Sequence, residues 1–194
     1  MTDRITLADL ADHGAHQRGH FRLSSGLHSA DYLQCALFLA RPTRAERAGA
    51  QLADAITALV DRPDLIVSPA LGGLIIGHET ARALGTPFLF TERVDGVMAL
   101  RRGFGIAGGQ TIVVVEDVVT TGGSTREVIG LLESLGGVVL GVGSLVNRSV
   151  RDNPFAPLPY AALIRAELAT FEPDRCPLCR DGRPLVKPGS RPVS

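Results

Sequence analysis

The chain has 194 residues, 45% of them apolar, which suits one α/β domain with a small appendage and supplies enough apolar surface for a core of that size. Its 20 basic and 20 acidic residues cancel, so no general attraction to nucleic acid or acidic lipid is implied and any anion binding is local. Three cysteines (Cys35, Cys176 and Cys179) do not make a disulfide scaffold, the first residues lack a signal-peptide pattern and no apolar run reaches transmembrane length, so we expect a cytoplasmic chain with neither a nucleic-acid nor a membrane partner.

Taken in chain order, residues 19–34 read by themselves as a hairpin with polar turns. His13, His16, His20 and His28 have no Cys or acids at ligand spacing, and are read as surface or hood residues rather than metal ligands. Residues 44–60 place Ala, Leu and Ile on one face at helical spacing, with Pro42 near the start, which predicts a helix. A short apolar strand is predicted over 65–67, a helix over 73–84 with His78 as a packed residue, and a strand over 87–90. Residues 92–110 carry Arg93, Arg101 and Arg102 among glycines and read as a mobile loop or hairpin. A strand over 111–116, a helix over 124–135 and a strand over 138–146 follow.

Each of these strands is too uniformly apolar to have an exposed face. Strand and helix alternate, which predicts a parallel sheet covered on both faces with ligands at the carboxyl ends of its strands. The segments before about residue 42 and after about residue 150 lack the repeat and are expected to form a separate cap or hood. We therefore divide the chain into an N-terminal hood segment (1–42), a core (43–150) and a C-terminal hood segment with tail (151–194).

The most informative stretch is Val113-Val-Val-Glu-Asp-Val-Val-Thr-Thr-Gly-Gly-Ser-Thr125. An apolar strand runs into two carboxylates, Glu116 and Asp117, and a hydroxyl- and glycine-rich turn then opens a helix. Glycine lets backbone approach a phosphate, hydroxyls of Thr120, Thr121, Ser124 and Thr125 donate to its oxygens, and the helix start around Gly122 and Gly123 adds N–H groups. The carboxylates would repel phosphate, and suit ribose hydroxyls or a hydrated divalent cation instead. Neither a Gly-x-x-x-x-Gly-Lys-Ser/Thr loop nor a Gly-x-Gly-x-x-Gly after a strand is present, which argues against a nucleotide triphosphatase or a dinucleotide enzyme. A second cradle repeats the logic at residues 68–77, where a strand ends in the small-residue turn Ala70, Leu71, Gly72 and Gly73 and enters a helix. A third apolar strand ends in a single cation, Arg148.

The stretch from Val113 to Thr125 resembles the phosphoribosyl pyrophosphate motif of the type I phosphoribosyltransferases: an apolar run, two acids, two residues, then a Thr- and Gly-rich loop. The segment Gly19-His-Phe-Arg-Leu-Ser-Ser-Gly-Leu-His-Ser-Ala-Asp-Tyr-Leu-Gln34 is similar to the N-terminal hood of the orotate-specific members. The fold this resemblance implies is α/β, a type I phosphoribosyltransferase-like parallel sheet flanked by helices, with a small hood from the N- and C-terminal segments. The implied activity is magnesium-dependent transfer of phosphoribose from phosphoribosyl pyrophosphate to orotate, giving orotidine 5′-monophosphate and pyrophosphate in pyrimidine synthesis.

By the same resemblance, Glu116 and Asp117 hold the ribose hydroxyls and residues 121–125 the 5′-phosphate, while residues 70–73 receive pyrophosphate. Ser24, Ser25, Gly26 and Tyr32 line the pyrimidine site, and Arg148 faces orotate with Thr120 across the base. Arg93, Arg101 and Arg102 are assigned to pyrophosphate contact, on a loop that in the family closes over a neighbouring subunit's site, implying a homodimer. Mg²⁺ is expected to bind mainly through phosphoribosyl pyrophosphate. The chain departs from many members in having Ser24 in place of Lys, Leu33 in place of Phe, and no Lys in the 70–73 turn or in the arginine loop. The sugar motif does not determine the base, so a phosphoribosyltransferase for another base and a non-catalytic phosphoribosyl pyrophosphate sensor are the alternatives.

Cys176-Pro-Leu-Cys179 is a half-site for zinc. Four ligands are needed and Cys35 is the one further cysteine, so a metal would require His residues or a second subunit. The pair is read as reduced structural thiols in preference to a zinc site.

Overall fold

A computed structural model describes residues 4–23 and 25–188 of the chain. The N-terminal segment opens with helix α1 (Leu7–Asp12), started by a reciprocal cap in which the Thr6 N–H donates to the Asp9 carboxylate at 2.8 Å and the Asp9 N–H to the Thr6 hydroxyl at 3.4 Å. Strands β1 (His16–Arg22) and β2 (His28–Leu33) form the expected hairpin, followed by a short helix α2 (Cys35–Leu39) and the long helix α3 (Pro42–Thr57). Pro42 occupies the first turn of α3, where its missing N–H costs nothing. The buried residues Ala45, Ala48, Gly49, Leu52 and Ile56 lie on one face of α3.

The core continues as β3 (Leu65–Pro69), α4 (Gly73–Leu84), β4 (Phe88–Val94), β5 (Val97–Leu100), β6 (Thr111–Val119), α5 (Gly123–Ser134), β7 (Val138–Asn147) and β8 (Tyr160–Arg165). Their six-stranded sheet has the order β5-β4-β3-β6-β7-β8, parallel except for the edge hairpin β4–β5. Alternate strand residues feed two cores. Ile66, Val113 and Val115 pack with α3 and α4 residues such as Leu52 and Ile76, whereas Leu65, Val67, Ile112 and Val114 pack with Val128 and Leu132 of α5. Both faces are covered, which is why these strands read as unbroken apolar runs. Gly49 allows a close contact between α3 and α4, since a Cβ there would stand 2.5 Å from the Glu79 backbone of α4.

Three expectations change. Strand β6 does not stop at Glu116; Val118 and Val119 continue the ladder with Val146 and Asn147 of β7, so both carboxylates sit within a strand. The core does not end near residue 150, because the apolar run of β8 pairs in parallel with β7. Nor is the N-terminal segment separate, since Ile5, Leu10, Cys35 and Phe38 belong to the same buried cluster as Leu52 and Ile66.

The hood itself is a three-stranded sheet, β1-β2-β9, in which β9 (Thr170–Phe171) brings the C-terminal segment to the hairpin. A 3-10 turn (Pro173–Arg175) and a four-residue helix α6 (Pro177–Arg180) follow. Val186 then returns to β1, donating its N–H to the His20 carbonyl at 2.9 Å and accepting from the Arg22 N–H at 2.8 Å. Among the described residues no helix is long and apolar enough to cross a membrane.

Candidate active site

The sheet order places a topological switch point between β3 and β6. Strand β3 leads through α4 to β4 on one side, and β6 leads through α5 to β7 on the other. In open α/β sheets, ligands bind in the crevice that such a reversal leaves at the strands' carboxyl ends. Here the loops at that point are residues 70–72 and 120–122, and a cavity of about 860 Å³ opens between the second of them and the hood.

Asp117 borders this cavity together with Thr120, Thr121, Tyr32, Ser25 and Arg148. The two predicted acids therefore differ. Asp117 looks into the cavity, its Oδ1 accepting the Val118 N–H at 2.8 Å, whereas Glu116 is 9% exposed and does not line it. Burial, and next the charge of Asp117, push the Glu116 carboxyl well above its ordinary range.

Gly122 turns the chain at φ +78, a left-handed conformation that favours glycine, and lies so close to Phe155 that a Cβ would stand 2.8 Å from the ring. Gly123 opens α5 and donates its N–H to the Thr121 hydroxyl at 3.4 Å. Ser124 is exposed on this first turn, whereas Thr125 is buried at 2% exposure.

In the second cradle, the Ala70 N–H donates to the Thr91 carbonyl at 2.8 Å, Leu71 is 83% exposed, Gly72 is exposed and Gly73 is the buried first residue of α4. A Cβ on Gly72 would lie 2.5 Å from Asp117 Oδ1, which places this loop directly against the cavity's carboxylate.

The hood forms the opposite wall. Tyr32 packs on Phe21 with ring centroids 5.6 Å apart, and Gly26 makes the tight turn beyond Ser25 at φ +87. Arg148 donates to the Ser29 hydroxyl at 3.0 Å, and Ser29 in turn donates to the Ala169 carbonyl at 2.8 Å. Burial lowers the Arg148 pKa, an effect that the nearby Asp31 opposes. Ser24 lies outside the described residues.

The loop arginines are elsewhere. Residues 92–110 begin as the hairpin β4–β5, where Arg93 pairs with Glu127 at 2.9 Å and with the Gly96 carbonyl. Arg102 donates twice to Glu92, at 3.0 and 2.8 Å, and covers the Phe90 ring at 5.5 Å. Arg101 is exposed. None of the three is among the described residues that line the cavity.

Other cations line it instead, among them Arg22, Arg126 and Lys187. Arg126 donates to the carbonyls of Thr121 at 2.9 Å and Pro154 at 2.7 Å, and stacks over Phe155 at 5.6 Å. Its signal was a cation on the first turn of the helix that follows the sugar motif. For Lys187 the signal was weaker, being only that it is the sole lysine of the chain.

A parallel sheet whose switch-point loops are an acid-Thr-Gly turn and a small-residue turn, roofed by a hood, defines a type I phosphoribosyltransferase. Residues 39–154 match the family model described as the phosphoribosyl transferase domain. The orotate phosphoribosyltransferase of Caldanaerobacter subterraneus subsp. tengcongensis is 49% identical over 174 residues, 90% of each chain, and that of Pelotomaculum thermopropionicum is 48% identical over the full length of both. The crystal structure of orotate phosphoribosyltransferase from Aeropyrum pernix superposes with a TM-score of 0.67 at 26% identity, over 81% of this chain and 92% of that one. The chain belongs to the phosphoribosyltransferase family, within its orotate phosphoribosyltransferase branch.

Proposed function

We infer that this enzyme transfers the phosphoribosyl group of phosphoribosyl pyrophosphate to orotate, releasing pyrophosphate and giving orotidine 5′-monophosphate in pyrimidine biosynthesis. The observation that carries this reading is the shared cavity: Asp117, Thr120 and Thr121 form one wall, and Arg148 with Tyr32 the other. One wall suits a phosphorylated ribose. The other offers a half-buried cation and an aromatic ring to a flat, anionic base.

A ring nitrogen of orotate attacks the anomeric carbon as the bond to pyrophosphate oxygen breaks, so the electron pair leaves on pyrophosphate and no protein nucleophile is needed. The protein's work is alignment of the two substrates and stabilisation of the charges that separate. Asp117 holds the ribose hydroxyls and favours the cationic sugar. Residues 121–125 take the 5′-phosphate, with Arg126 bracing the turn from behind, and residues 70–73 receive pyrophosphate on backbone N–H groups. Arg148 holds the orotate carboxylate. Glu116 acts from beneath, through the strand that presents Asp117.

Mg²⁺, when bound, supplies positive charge against the departing pyrophosphate. The residues present fit it: Asp117 offers hard oxygen donors, and the glycine at position 72 keeps a side chain off those oxygens. The ion would be held mainly by the substrate's own oxygens.

Because Arg93, Arg101 and Arg102 stand away from the cavity, we assign them to the pyrophosphate of a neighbouring subunit's site in a homodimer. The hood, by this reading, is β1, β2, β9 and the tail, and the enzyme works in the cytoplasm. Turnover by the purified protein of phosphoribosyl pyrophosphate and Mg²⁺ with orotate, adenine, hypoxanthine and uracil, each in turn, tests the central claim. Orotate alone is expected to be converted. Conversion of another base and not orotate would reject it, and binding of phosphoribosyl pyrophosphate without turnover of any base would indicate a sensor.

A further inference from the structure

The hood brings together four side chains that the sequence keeps up to 159 residues apart. His20 Nε2 and His28 Nδ1 are 3.1 Å apart; Cys176 Sγ lies 3.5 Å from His20 Nε2; Cys179 Sγ lies 3.7 Å from His20 Nε2 and 3.3 Å from His28 Nδ1. All four atoms fall within 4.8 Å of one another. His20, His28 and Cys176 are buried, at 3%, 5% and 1% exposure.

From these positions we propose that His20, His28, Cys176 and Cys179 hold one structural Zn²⁺ that clasps the C-terminal segment to the β1–β2 hairpin. This revises the reading of His20 and His28 as hood residues rather than metal ligands: they supply the missing half-site, facing each other across a hairpin rather than at helical or finger-like spacing.

Three observations carry the proposal. The first is size. Zinc bonds of about 2.0 Å to nitrogen and about 2.3 Å to sulfur in a tetrahedron require ligand-to-ligand edges of about 3.3–3.8 Å, and the four distances above fall at or close to that range. The second is the tautomer of His20. Its Nδ1 lies 2.9 Å from the Arg183 carbonyl, which only accepts, so Nδ1 carries the proton and Nε2 turns a lone pair on the centre of the cluster. Metal-bound imidazoles are oriented in this way by a carbonyl on the far nitrogen. The third is need. Strand β9 is two residues long, α6 is four, and Leu178 and Cys176 are the buried apolar side chains of this segment, too little to hold it by burial.

Four protein ligands leave no open position, so the site is structural and not catalytic. Binding releases the two thiol protons to solvent and leaves two thiolates and two neutral imidazoles around the ion, a neutral unit fit for burial. The segment that it fixes carries Thr170, Lys187 and Pro188 into the wall of the substrate cavity.

The test is metal analysis of the full chain purified from zinc-supplemented cells without a metal-affinity tag. One zinc per chain that survives dialysis is expected, lost by at least about tenfold in Cys179→Ser and His28→Ala, in keeping with a four-ligand site. Where those variants fail to fold, the unaltered chain decides: stripped with chelator under reducing conditions and titrated with Co²⁺, it is expected to show the visible bands and thiolate charge transfer of a tetrahedral sulfur–nitrogen site. Zinc far below one per chain, together with no such bands at saturating Co²⁺, overturns the proposal, whether the thiols are then found free or joined in a disulfide.

Discussion

Gly72, at the loop before α4, and Asp117, within strand β6, meet at the carboxyl edge of the sheet, where the glycine's missing side chain is the space that the carboxylate occupies. A Cβ at position 72 would lie 2.5 Å from Asp117 Oδ1 and 2.9 Å from Oδ2. The backbone of Gly72 is right-handed helical, φ −57 and ψ −45, so alanine is conformationally acceptable there and its only penalty is steric. Gly72→Ala is therefore expected to move Asp117 without unfolding the chain. An ångström of misplacement costs on the order of 10²-fold in such sites. Steady-state kinetics should show a fall of that order in kcat/KM for phosphoribosyl pyrophosphate at an unchanged melting temperature, and normal kinetics would remove the coupling.

Asp117→Asn keeps the shape and removes the charge. Turnover should drop about 10²-fold or more, the scale of losing one charged partner of a transition state. Glu116→Gln, one residue away but outside the cavity, should cost far less. Equal losses in the two variants would mean that their unequal exposure does not divide their roles.

The stability of the Glu116 variant has a pH signature. A carboxyl whose folded pKa is raised above its ordinary 4.5 holds its proton more tightly when folded. Its contribution is present in full below the unfolded value and is lost as pH rises through the folded one. Glu116→Gln escapes that loss. Its melting temperature should match the parent's near pH 4 and exceed it near pH 7 by about 2–4 °C, the shift that about 1 kcal/mol produces in a chain of this size. A gain that is largest in acid would refute the assignment.

Arg148→Ala removes a half-buried cation and leaves Ser29 without its donor. A charge-assisted hydrogen bond contributes about 1.5–3 kcal/mol, so the KM for orotate should rise about 10–100-fold while that for phosphoribosyl pyrophosphate stays within about twofold. Unchanged orotate saturation would sink the role.

For the hairpin, Arg102→Ala separates structure from chemistry. Its ion pair with Glu92 is exposed, and such pairs contribute about 0–1 kcal/mol, so thermal stability should barely change. If the guanidinium meets pyrophosphate in a second subunit, kcat should still fall at least about tenfold. Wild-type turnover would leave the hairpin as a charged edge and nothing more.

Much of the candidate site's framework was legible because its pattern is local. Acids, hydroxyls and glycines between Glu116 and Ser124 act within one strand, turn and helix, and periodicity alone located α4 and the strands beside it. What escaped depends on partners distant in sequence. Strand β6 runs past its acids because Val118 and Val119 find Val146 and Asn147 on β7, and nothing local forecasts that register. Strand β8 joins the core for the same reason. The His–Cys cluster was hidden by separation, each half looking incomplete until the hood folded them together.

The return of Val186 to β1 has a consequence for the order in which this enzyme is made. The main-chain bonds that seat it on His20 and Arg22 join the first hood strand to residues near 186, and Lys187 beside it lines the cavity. On the ribosome, the sheet and both switch-point turns can emerge and fold while this wall is still unsynthesised. The cavity is thus enclosed only once residues 183–187 have been made, and a nascent or truncated chain that ends before Arg183 carries both switch-point turns with one wall of the cavity missing.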